Sequence, residues 1–351
     1  MQKQIGVGIL GGTGYGAGEL LRVLAGHGTT EVVSITSSSH AGAEVTAVHP
    51  QLAGFYDELK LEADLALENF QRFAHRVVFA ALPHGKSAGA IAQLLKRPEA
   101  KGLRVIDLSG DFRLTNEAER EKHYPDASAD ADLKKRFVYG LTEVNRVLIA
   151  GADCIANPGC LASACALAVL PLMAANFRGS IVFDAKTGTS GAGKSLSDAL
   201  HHPQRHANVN AYKILEHRHE PEIRHALGDV EGGRIETVFV PHLLPLSRGI
   251  FATAYLTLKQ EEKTSELQAR YSEFYRASPF IRVREGSPEM ANVIGSNFCD
   301  ISVFARGRQV VAMAVLDNLV KGMAGQAVQN MNVMAGLPES TGLWTPGLNL
   351  T

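Results

Sequence analysis

Residues 5–21 read IGVGILGGTGYGAGELL, and this stretch decides the fold of the chain. A short β-type run enters a glycine cluster and leaves it into an apolar helical pattern. Glycines at such a turn let backbone N–H groups approach a pyrophosphate at the N-terminus of a helix. Their spacing, Gly8, Gly11 and Gly14, is GxxGxxG, whereas GxGxxG is the commoner form. The stretch predicts a strand–turn–helix that binds a dinucleotide, and a plain tight turn is the alternative.

Further β-type runs occupy 31–36, 76–82 and 103–108, and each leads into a loop or a helical pattern. Alternation of this kind predicts an α/β fold with a doubly wound parallel sheet. Ligands of such sheets bind beyond the carboxyl ends of the strands. The loops 83–86 and 109–113 follow two of these runs, so they are expected at that edge.

The run at 31–36 ends in Ser37, Ser38 and Ser39, where an NAD-specific fold usually has an acidic residue for the ribose 2′-hydroxyl. Small hydroxyl side chains without an opposing carboxylate leave room for a 2′-phosphate. The sequence therefore favours NADP(H) over NAD as the cofactor.

The 351 residues are 45% hydrophobic, which is enough for two globular domains. Basic and acidic residues number 35 and 36, so no bulk charge would attract nucleic acid or an acidic membrane surface. No stretch is long and apolar enough to span a bilayer, and the N-terminus lacks the pattern of a signal peptide. A small-molecule partner is expected.

The four cysteines, Cys154, Cys160, Cys165 and Cys299, contain no CxxC pair. Their spacing argues against a zinc ribbon and against a disulfide framework. We therefore expect a reducing, cytoplasmic location.

Cys160 follows a Pro-Gly turn in Asn157-Pro158-Gly159-Cys160 and opens the apolar, helix-like run 161–170. Backbone N–H groups and the positive end of a helix dipole would stabilise a thiolate there. This placement predicts a reactive thiol, and the alternative is a buried cysteine that acts as a small hydrophobic residue.

Eight motifs occur in order along nearly the whole chain: GGTGYGAGEL, ALPHG, DLSGDFR, NPGC, TSGAGKS, HRHEPEI, PHLLPLSRGI and DNLVKGMAGQAVQNMN. In this order and spacing they resemble the N-acetyl-gamma-glutamyl-phosphate reductase family of arginine biosynthesis, type 1 subfamily. That family is related to aspartate-semialdehyde dehydrogenase and, more distantly, to glyceraldehyde-3-phosphate dehydrogenase. The resemblance implies a Rossmann-type sheet plus an α+β substrate and dimerisation domain.

One segment departs from the family pattern. After NPGC the family continues Tyr-Pro-Thr, whereas this chain continues Leu161-Ala162-Ser163. A sister group also departs there, and it reduces aminoadipyl or glutamyl phosphate attached to a small carrier protein. A carrier-linked substrate therefore remains an alternative to the free acetylated one.

The resemblance implies the reductive dephosphorylation of N-acetyl-L-glutamyl 5-phosphate to N-acetyl-L-glutamate 5-semialdehyde, with NADPH as reductant. Cys160 would attack the acyl phosphate, expel inorganic phosphate and form a thioester. After hydride transfer, collapse of the hemithioacetal requires a proton donor within hydrogen-bond reach.

The best source of that proton is HRHEPE at 217–222. Pro221 biases Glu220 toward an extended backbone and suits the first helical position. His217 and His219 are therefore expected on an extended entry, facing the same way, with Glu222 in the first turn of a helix. His219 is assigned as the acid/base, His217 as a substrate-contacting or supporting group, and Glu222 as the group that orients an imidazole.

A metal site is the competing interpretation of this His-x-His pattern, because His201, His202 and His206 lie nearby in sequence. No cysteine or carboxylate completes a recognisable ligand spacing, so no metal is predicted.

Further site residues follow from the resemblance. The loop 189–195 closes on the cofactor near the nicotinamide in this family, although alone it reads as a flexible turn. Asn318 would lie against the carboxamide, or else act as a helix N-cap. Asn157 would orient the thioester oxygen, or else cap the cysteine helix. Arg113 and Arg248 would hold the phosphate and carboxylate of the substrate. The cofactor set is Gly11, Thr13, Gly14, Tyr15, Gly16, Ser37, Ser38, Ser190, Gly191, Ala192, Gly193 and Asn318.

The predicted domains are an NADP-binding domain at 1–157, a catalytic and dimerisation domain at 158–317, and a C-terminal helix at 318–351 that returns to the first domain. Long β-type runs in the second domain, such as 179–185 and 250–258, predict an antiparallel-rich sheet. Relatives pair through that sheet, so a homodimer or homotetramer is expected.

The charge-rich segment 126–136 is expected to be a solvated surface helix or loop. A nucleotide-binding regulator, in which Cys160 is only structural, is the alternative from a different class of protein.

Overall fold

The computed structural model describes residues 3–127, 130–229 and 232–349. The chain divides into two compact units: one holds the chain as far as Pro158 together with Met323–Trp344, and the other holds Gly159–Gly322 and the chain from Thr345 on. The return to the first unit thus begins at Met323 rather than at 318. The reason is local, because the Asn318 side chain hydrogen-bonds Gly249 and Ser190 of the second unit.

The first unit contains a seven-stranded sheet in which every pair of neighbours is parallel. Its strands are β1 (Ile5–Leu10), β2 (Thr30–Thr36), β3 (Leu61–Glu62), β4 (His75–Ala80), β5 (Arg104–Asp107), β6 (Phe137–Tyr139) and β7 (Cys154–Ala156). They lie in the order β3-β2-β1-β4-β5-β7-β6. The doubly wound parallel sheet predicted from the sequence is confirmed.

Helices connect and cover the strands. They are α1 (Tyr15–Ala25), α2 (Val45–Val48), α3 (Ser87–Leu95), α4 (Glu117–His123), α5 (Ala131–Lys135), α6 (Thr142–Ala150), α7 (Cys160–Ala174), α8 (His202–Arg205), α9 (His219–Ala226), α10 (Thr264–Phe274) and α11 (Gly325–Met334). Short 3₁₀ turns lie at Pro50–Leu52, Leu67–Phe70, Pro98–Ala100, Thr189–Ala192, Asp198–Leu200 and Met290–Asn292, and a π-helical turn lies at Val320–Ala324. In the segment 126–136, the part from Ala131 is the short helix α5, and residues 128–129 lie outside the described residues.

The central strand β1 is buried along its whole length, as expected for a parallel strand covered on both faces. Its glycines have a packing reason. A Cβ atom at Gly6 would lie 2.5 Å from the ring of Phe73, and one at Gly8 would lie 2.6 Å from the ring of Phe70. Aromatic rings therefore pack directly on the backbone of β1.

The C-terminal helix α11 is fixed to the first unit by buried amides. Gln326 Nε2 donates to the Gly140 carbonyl at 3.0 Å and to Thr142 Oγ1 at 2.6 Å. Asn330 Nδ2 also donates to the Gly140 carbonyl, at 2.8 Å, and its Oδ1 accepts from Thr142 Oγ1. Because each of these polar groups is paired, the helix contributes a specific contact as well as apolar burial.

The second unit contains a seven-stranded mixed sheet. Its strands are β8 (Gly179–Thr187), β9 (Asn210–Ala211), β10 (Ile235–Leu243), β11 (Ile250–Thr257), β12 (Ile281–Val283), β13 (Cys299–Arg306) and β14 (Gln309–Leu316), in the order β12-β13-β14-β11-β8-β10-β9. Most neighbours are antiparallel, as predicted, but β8–β10 and β12–β13 are parallel. The parallel pair β8–β10 follows from the helical crossover, which includes α9, between these strands.

Helix α7 is the core of the second unit, and every residue from Leu161 to Met173 is buried. Pro171 lies inside the helix and has no N–H to give to the carbonyl of Leu167. The hydroxyl of Tyr275 donates to that carbonyl at 2.5 Å instead. The proline therefore leaves no unsatisfied carbonyl in the core.

Within the described ranges, no helix combines the length and the hydropathy that crossing a membrane requires.

Candidate active site

The glycine-rich turn connects β1 to α1. Gly11 has φ +86°, a conformation that favours glycine, and the N–H of Gly12 donates to the Thr36 carbonyl at 2.7 Å. Gly14 is the extended N-cap of α1, and a Cβ atom there would meet open space. The first-turn N–H groups of a helix have no intrahelical acceptor, so this turn can bind an anion. Of the predicted cofactor residues, Thr13 lies in the turn, and Tyr15 and Gly16 begin the helix.

Ser37 and Ser38 follow directly after β2, at the carboxyl edge of the same sheet. The N–H of Ser37 donates to the Glu62 carbonyl at 2.8 Å, and its hydroxyl accepts from the N–H of His40 at 3.2 Å. Ser38 is exposed. The backbone at Ser37 is thus held in place, and the hydroxyl group of Ser38 is open to solvent.

The loops after β4 and β5 interlock at the same edge. Asp111 accepts from the N–H groups of Gly85 and Ala88, at 2.8 and 3.0 Å, and so caps α3. His84 Nδ1 accepts from the N–H of Gly110 at 2.7 Å. The motifs ALPHG and DLSGDFR therefore form one hydrogen-bonded network in the first unit.

Arg113 is buried, and its guanidinium donates to backbone carbonyls: Nε to Asn157 at 2.7 Å and Nη2 to Leu108 at 2.9 Å. The side-chain amide of Asn157 donates to the Met323 carbonyl at 3.0 Å and accepts from Asn330 at 3.2 Å. The N-cap of α7 is Gly159, so Asn157 does not cap that helix. Within the first unit, Arg113 thus holds the backbone at Leu108 and Asn157, and the Asn157 side chain holds Met323 and helix α11.

Replacing Asp107 with asparagine is expected to stabilise the protein at neutral pH. Burial raises the pKa of the Asp107 carboxyl to about 6, although Ser87 and Ser109 donate hydrogen bonds to it. The folded state therefore binds more protons than the unfolded chain between about pH 4 and 6, and the free energy of unfolding falls as pH rises through that window. Above pH 6 the loss is about 3 kcal/mol.

The uncharged asparagine can hydrogen-bond the same serine hydroxyls, so the variant should lack that loss. The measurement is the urea midpoint of wild type and Asp107→Asn at pH 4.5 and pH 7.5. An identical change in midpoint for both proteins would contradict the prediction.

Cys160 is the first residue of α7 and is half-buried, whereas the other three cysteines are buried. Burial raises the pKa of the Cys154 thiol to about 11 and that of Cys165 still further. A Cβ atom at Gly322 would lie 2.6 Å from Cβ of Cys160. Gly322 lies in the π-helical turn Val320–Ala324. Any larger residue at 322 would displace Cys160 from its position.

Glu222 is completely buried, and its Oε1 accepts from the N–H of Gly159 at 2.6 Å. Its Oε2 lies 3.9 Å from Nε2 of His219, which is beyond hydrogen-bond distance. The carboxylate therefore anchors the residue that precedes Cys160, and its contact with the predicted imidazole is electrostatic.

The histidine segment differs from the sequence prediction. Helix α9 begins at His219, and Arg218 already has helical dihedrals, φ −57° and ψ −15°. The predicted extended entry is therefore wrong, and Pro221 is the third helical residue rather than the first. Proline is tolerated there because the N–H groups of a first turn have no intrahelical acceptor.

The two histidines nevertheless lie together. Nδ1 of His217 accepts from the N–H of His219 at 3.0 Å, and the ring centroids are 4.8 Å apart. Because Nδ1 is an acceptor, the neutral imidazole of His217 carries its proton on Nε2. Both histidines are buried, and each residue is 7% exposed.

Tyr212 was missed by the sequence analysis. Its ring meets that of His217 edge-on, with centroids 5.5 Å apart. Burial raises the pKa of its phenol, and Cys160 adds to that effect through its charge. Tyr212 therefore lies beside the histidine pair, and no motif or spacing in the sequence marks this residue.

The loop 189–195 is hydrogen-bonded to Asn318 of the second unit. Its Oδ1 accepts from the N–H of Gly249 at 2.8 Å, and its Nδ2 donates to Ser190 Oγ at 2.9 Å. The capping function falls to Asp317, whose Oδ1 accepts from the N–H groups of Leu319 and Val320. The N-cap interpretation of Asn318 is therefore wrong. The other predicted loop residues, Gly191, Ala192 and Gly193, follow Ser190 in and after the 3₁₀ turn Thr189–Ala192.

Arg248 pairs with the buried carboxylate of Asp317, with Nη1 and Oδ2 3.2 Å apart. The other Asp317 contact at Oδ2 is the N–H of Gly295 at 2.7 Å. The Arg248 side chain is 29% exposed, in contrast to Arg113, which is buried.

His201, His202 and His206 are exposed. Across the described residues, no group of three His, Cys, Asp or Glu side chains is arranged to hold a metal ion.

Replacing Glu222 with alanine is expected to destabilise the protein by about 2–4 kcal/mol, because the buried N–H of Gly159 loses its acceptor and a cavity opens. Glutamine keeps an acceptor oxygen, so Glu222→Gln should cost about 1 kcal/mol or less. Urea unfolding of the two variants checks this difference. Equal destabilisation by both would mean that the bond to Gly159 is not what Glu222 contributes.

Comparison with known proteins assigns both halves of the chain to one class. Residues 6–152 match the NAD binding domain of semialdehyde dehydrogenases, and residues 160–318 match their dimerisation domain. Solved structures agree on the fold: aspartate semialdehyde dehydrogenase II from Vibrio cholerae has a TM-score of 0.70 at 15% identity, covering 95% of this chain and 99% of that one. The class is therefore the semialdehyde dehydrogenases, which are oxidoreductases.

Relatives with similar sequences identify the family within this class. Proteins named N-acetyl-gamma-glutamyl-phosphate reductase from Symbiobacterium thermophilum and Methanosarcina barkeri are 44% and 43% identical to this chain. The first alignment covers 98% of both chains, and the second covers 97% of this chain and 98% of the relative. The chain belongs to the N-acetyl-gamma-glutamyl-phosphate reductase family, and the resemblance found in the sequence is confirmed. The dimerisation domain indicates that the protein forms an oligomer.

Proposed function

We propose that this protein catalyses the NADPH-dependent reductive dephosphorylation of N-acetyl-L-glutamyl 5-phosphate to N-acetyl-L-glutamate 5-semialdehyde in arginine biosynthesis. The observation that carries the proposal is Cys160, half-buried at the first position of a buried helix in a chain of this family. N–H groups of that first turn and the helix dipole stabilise a thiolate.

The chemistry uses residues of the second unit. The Cys160 thiolate attacks the acyl carbon and expels inorganic phosphate, which leaves a thioester. When bound, NADPH supplies the hydride that reduces this thioester. Cys160 leaves again as the hemithioacetal collapses, while a histidine manages the proton on the oxygen.

His219 is proposed as the acid/base group. The buried Glu222 carboxylate, 3.9 Å from its Nε2, would stabilise positive charge on the ring. His217 has Nδ1 committed to the N–H of His219 and its proton on Nε2, which suits a donor to the substrate.

The residues of the first unit fit the cofactor. The positive φ of Gly11 and the open space at Gly14 form a cradle that a Cβ atom would disturb. Thr13, Tyr15 and Gly16 would complete the pyrophosphate site, and Ser37 with Ser38 would accept the 2′-phosphate of NADP(H). In the second unit, Asn318 and the loop Ser190, Gly191, Ala192 and Gly193 would hold the nicotinamide end.

Arg248 is the better of the two candidates for the substrate's anionic groups. Its side chain is partly exposed, whereas Arg113 is buried and donates to backbone carbonyls. Asn157 is proposed only as a secondary contact, because its amide already bonds Met323 and Asn330.

The departure from the family pattern at Leu161-Ala162-Ser163 gives no support to a carrier-linked substrate. All three side chains are at most 2% exposed and face the core of the second unit. We therefore propose the free acetylated compound as the substrate.

The test is the reverse reaction: formation of NADPH from N-acetylglutamate semialdehyde and NADP, with and without inorganic phosphate, for wild type and Cys160→Ser. Phosphate-dependent turnover by wild type but not by Cys160→Ser supports both the thioester route and the acetylated substrate. A folded wild type that binds NADP but gives no turnover rejects the acetylated substrate and favours a carrier-linked acyl group.

We further propose a homodimer, or a tetramer built from such dimers, formed through the open face of the second sheet. On that face the register aligns Val238, Val182, Tyr255, Val311 and Phe304 in one apolar row across neighbouring strands. Val182 and Tyr255 are 39% and 43% exposed in the single chain. Such a row on an open sheet face is typical of an interface.

Tyr255→Lys is expected to dissociate the oligomer, because it buries an unpaired charge in the interface. Sedimentation velocity checks the result, with Val147→Lys, at a residue of α6 that is 86% exposed, as the matched control. An oligomer of wild-type size in Tyr255→Lys would reject this face as the interface.

A further inference from the structure

His49 lies outside every motif of the sequence analysis, between α2 and the turn Pro50–Leu52. Its side chain is 4% exposed, and its Nε2 lies 2.7 Å from the carbonyl oxygen of Gly12 in the glycine-rich turn. A carbonyl only accepts, so Nε2 carries the proton and donates. A buried imidazole is thus bonded to the backbone of the turn that the proposed function assigns to the cofactor.

Gly18 gives a second, independent observation. It lies inside α1, where glycine costs about 1 kcal/mol relative to alanine. A Cβ atom at Gly18 would lie 2.7 Å from Nδ1 and 2.9 Å from Cε1 of His49. The glycine in the helix is therefore explained by the imidazole, which packs against the helix backbone.

The geometry of one peptide bond connects these contacts to the ligand. In a trans peptide the C=O and N–H groups point in opposite directions. The carbonyl of Gly12 is held by His49, so the N–H of Thr13, in the same peptide, is directed to the side away from His49. The N–H of Gly12 is fixed as well, since it donates to Thr36 at 2.7 Å.

We propose that His49 is a positioning residue for the dinucleotide: it locks the Gly12–Thr13 peptide so that the N–H of Thr13 faces the pyrophosphate. Gly18 is glycine so that the imidazole can reach that carbonyl. The proposal rests on the proposed function, in which this turn binds NADP(H). His49 itself neither contacts the ligand nor takes part in the chemistry.

The test measures NADPH binding without the acyl substrate, by titration of NADPH fluorescence. His49→Ala should raise the Kd for NADPH about 5- to 30-fold, the worth of one or two well-placed hydrogen bonds. Its kcat at saturating NADPH should stay within about threefold of wild type, because the reacting groups are untouched. His49→Gln can donate to the same carbonyl and should restore most of the affinity.

A double-mutant cycle tests the link to Gly18. Gly18→Ala should weaken NADPH binding by displacing the imidazole, and in the His49→Ala background it should add little, because the clash is gone. Independent, multiplying effects of the two substitutions would overturn the proposal. His75→Gln is the control, since His75 begins β4 at the opposite, amino edge of the sheet.

Further outcomes remain decisive. If His49→Ala does not fold, wild-type affinity in Gly18→Ala still overturns the proposal, and weakened binding there with recovery in His49→Gln supports it. A folded His49→Ala with wild-type Kd overturns the positioning role alone. A wild type that does not bind NADPH overturns the proposed function and this inference with it.

Discussion

Cys160→Ser is expected to lower kcat/KM by at least about 10³-fold, since a serine hydroxyl at this position is not ionised and cannot form the thioester. The fold should persist, because the substitution is nearly isosteric and the cysteine is already partly exposed. Steady-state kinetics with N-acetylglutamate semialdehyde, NADP and phosphate measure the loss. Sensitivity to iodoacetamide at neutral pH should disappear with it.

Cys165→Ala is the matched control for this experiment. Cys165 lies on the same helix, is fully buried, and has a thiol whose pKa is raised by that burial. It should react slowly with iodoacetamide, and its loss should leave kcat/KM within a few-fold of wild type. A Cys160→Ser variant with a tenth or more of wild-type activity would contradict the thioester route and make Cys160 a structural residue.

His219→Gln is expected to give the second-largest loss, about 10²- to 10⁴-fold in kcat, the usual contribution of a positioned acid/base group. The variant should also lose the limb of the pH–rate profile that reports the titrating imidazole. Its KM should change less, because the proton transfer is made in the transition state. Initial rates across pH 5.5–9 for wild type and variant provide both readings.

His217→Gln should cost less than His219→Gln, and its amide oxygen can still accept the N–H of His219. His225→Gln controls for the loss of any histidine from α9, in which His225 lies near the C-terminus. If His217→Gln loses the pH limb and His219→Gln keeps it, the two assignments must be exchanged.

Local patterns predicted much of this molecule because their causes are local. The run 5–21 needs only β-type residues, glycines and an apolar helical period to specify β1, the turn and α1. The position of Cys160 at a helix start follows from a Pro-Gly turn before an apolar run. Both can be read within one stretch of chain, without knowledge of distant contacts.

The features that the sequence did not reveal depend on distant contacts. The contact of His49 with Gly12 joins residues 37 positions apart. Arg113 has the residue type of an anion-binding group, but the partners that occupy it are the carbonyls of Asn157 and Leu108. At 217–222, the backbone preference that Pro221 imposes on Glu220 was overridden by the helix that packs against α7.

The order in which the chain leaves the ribosome has a consequence for the first unit. That unit is complete only with α11, whose Gln326 and Asn330 bond Gly140 and Thr142. At a synthesis rate of about 5–20 residues per second, those amides emerge roughly 10–35 s after Pro158. During this interval the side chains that bond Gly140 have not yet been synthesised. The nascent first unit should therefore need chaperones most while the second unit is being translated.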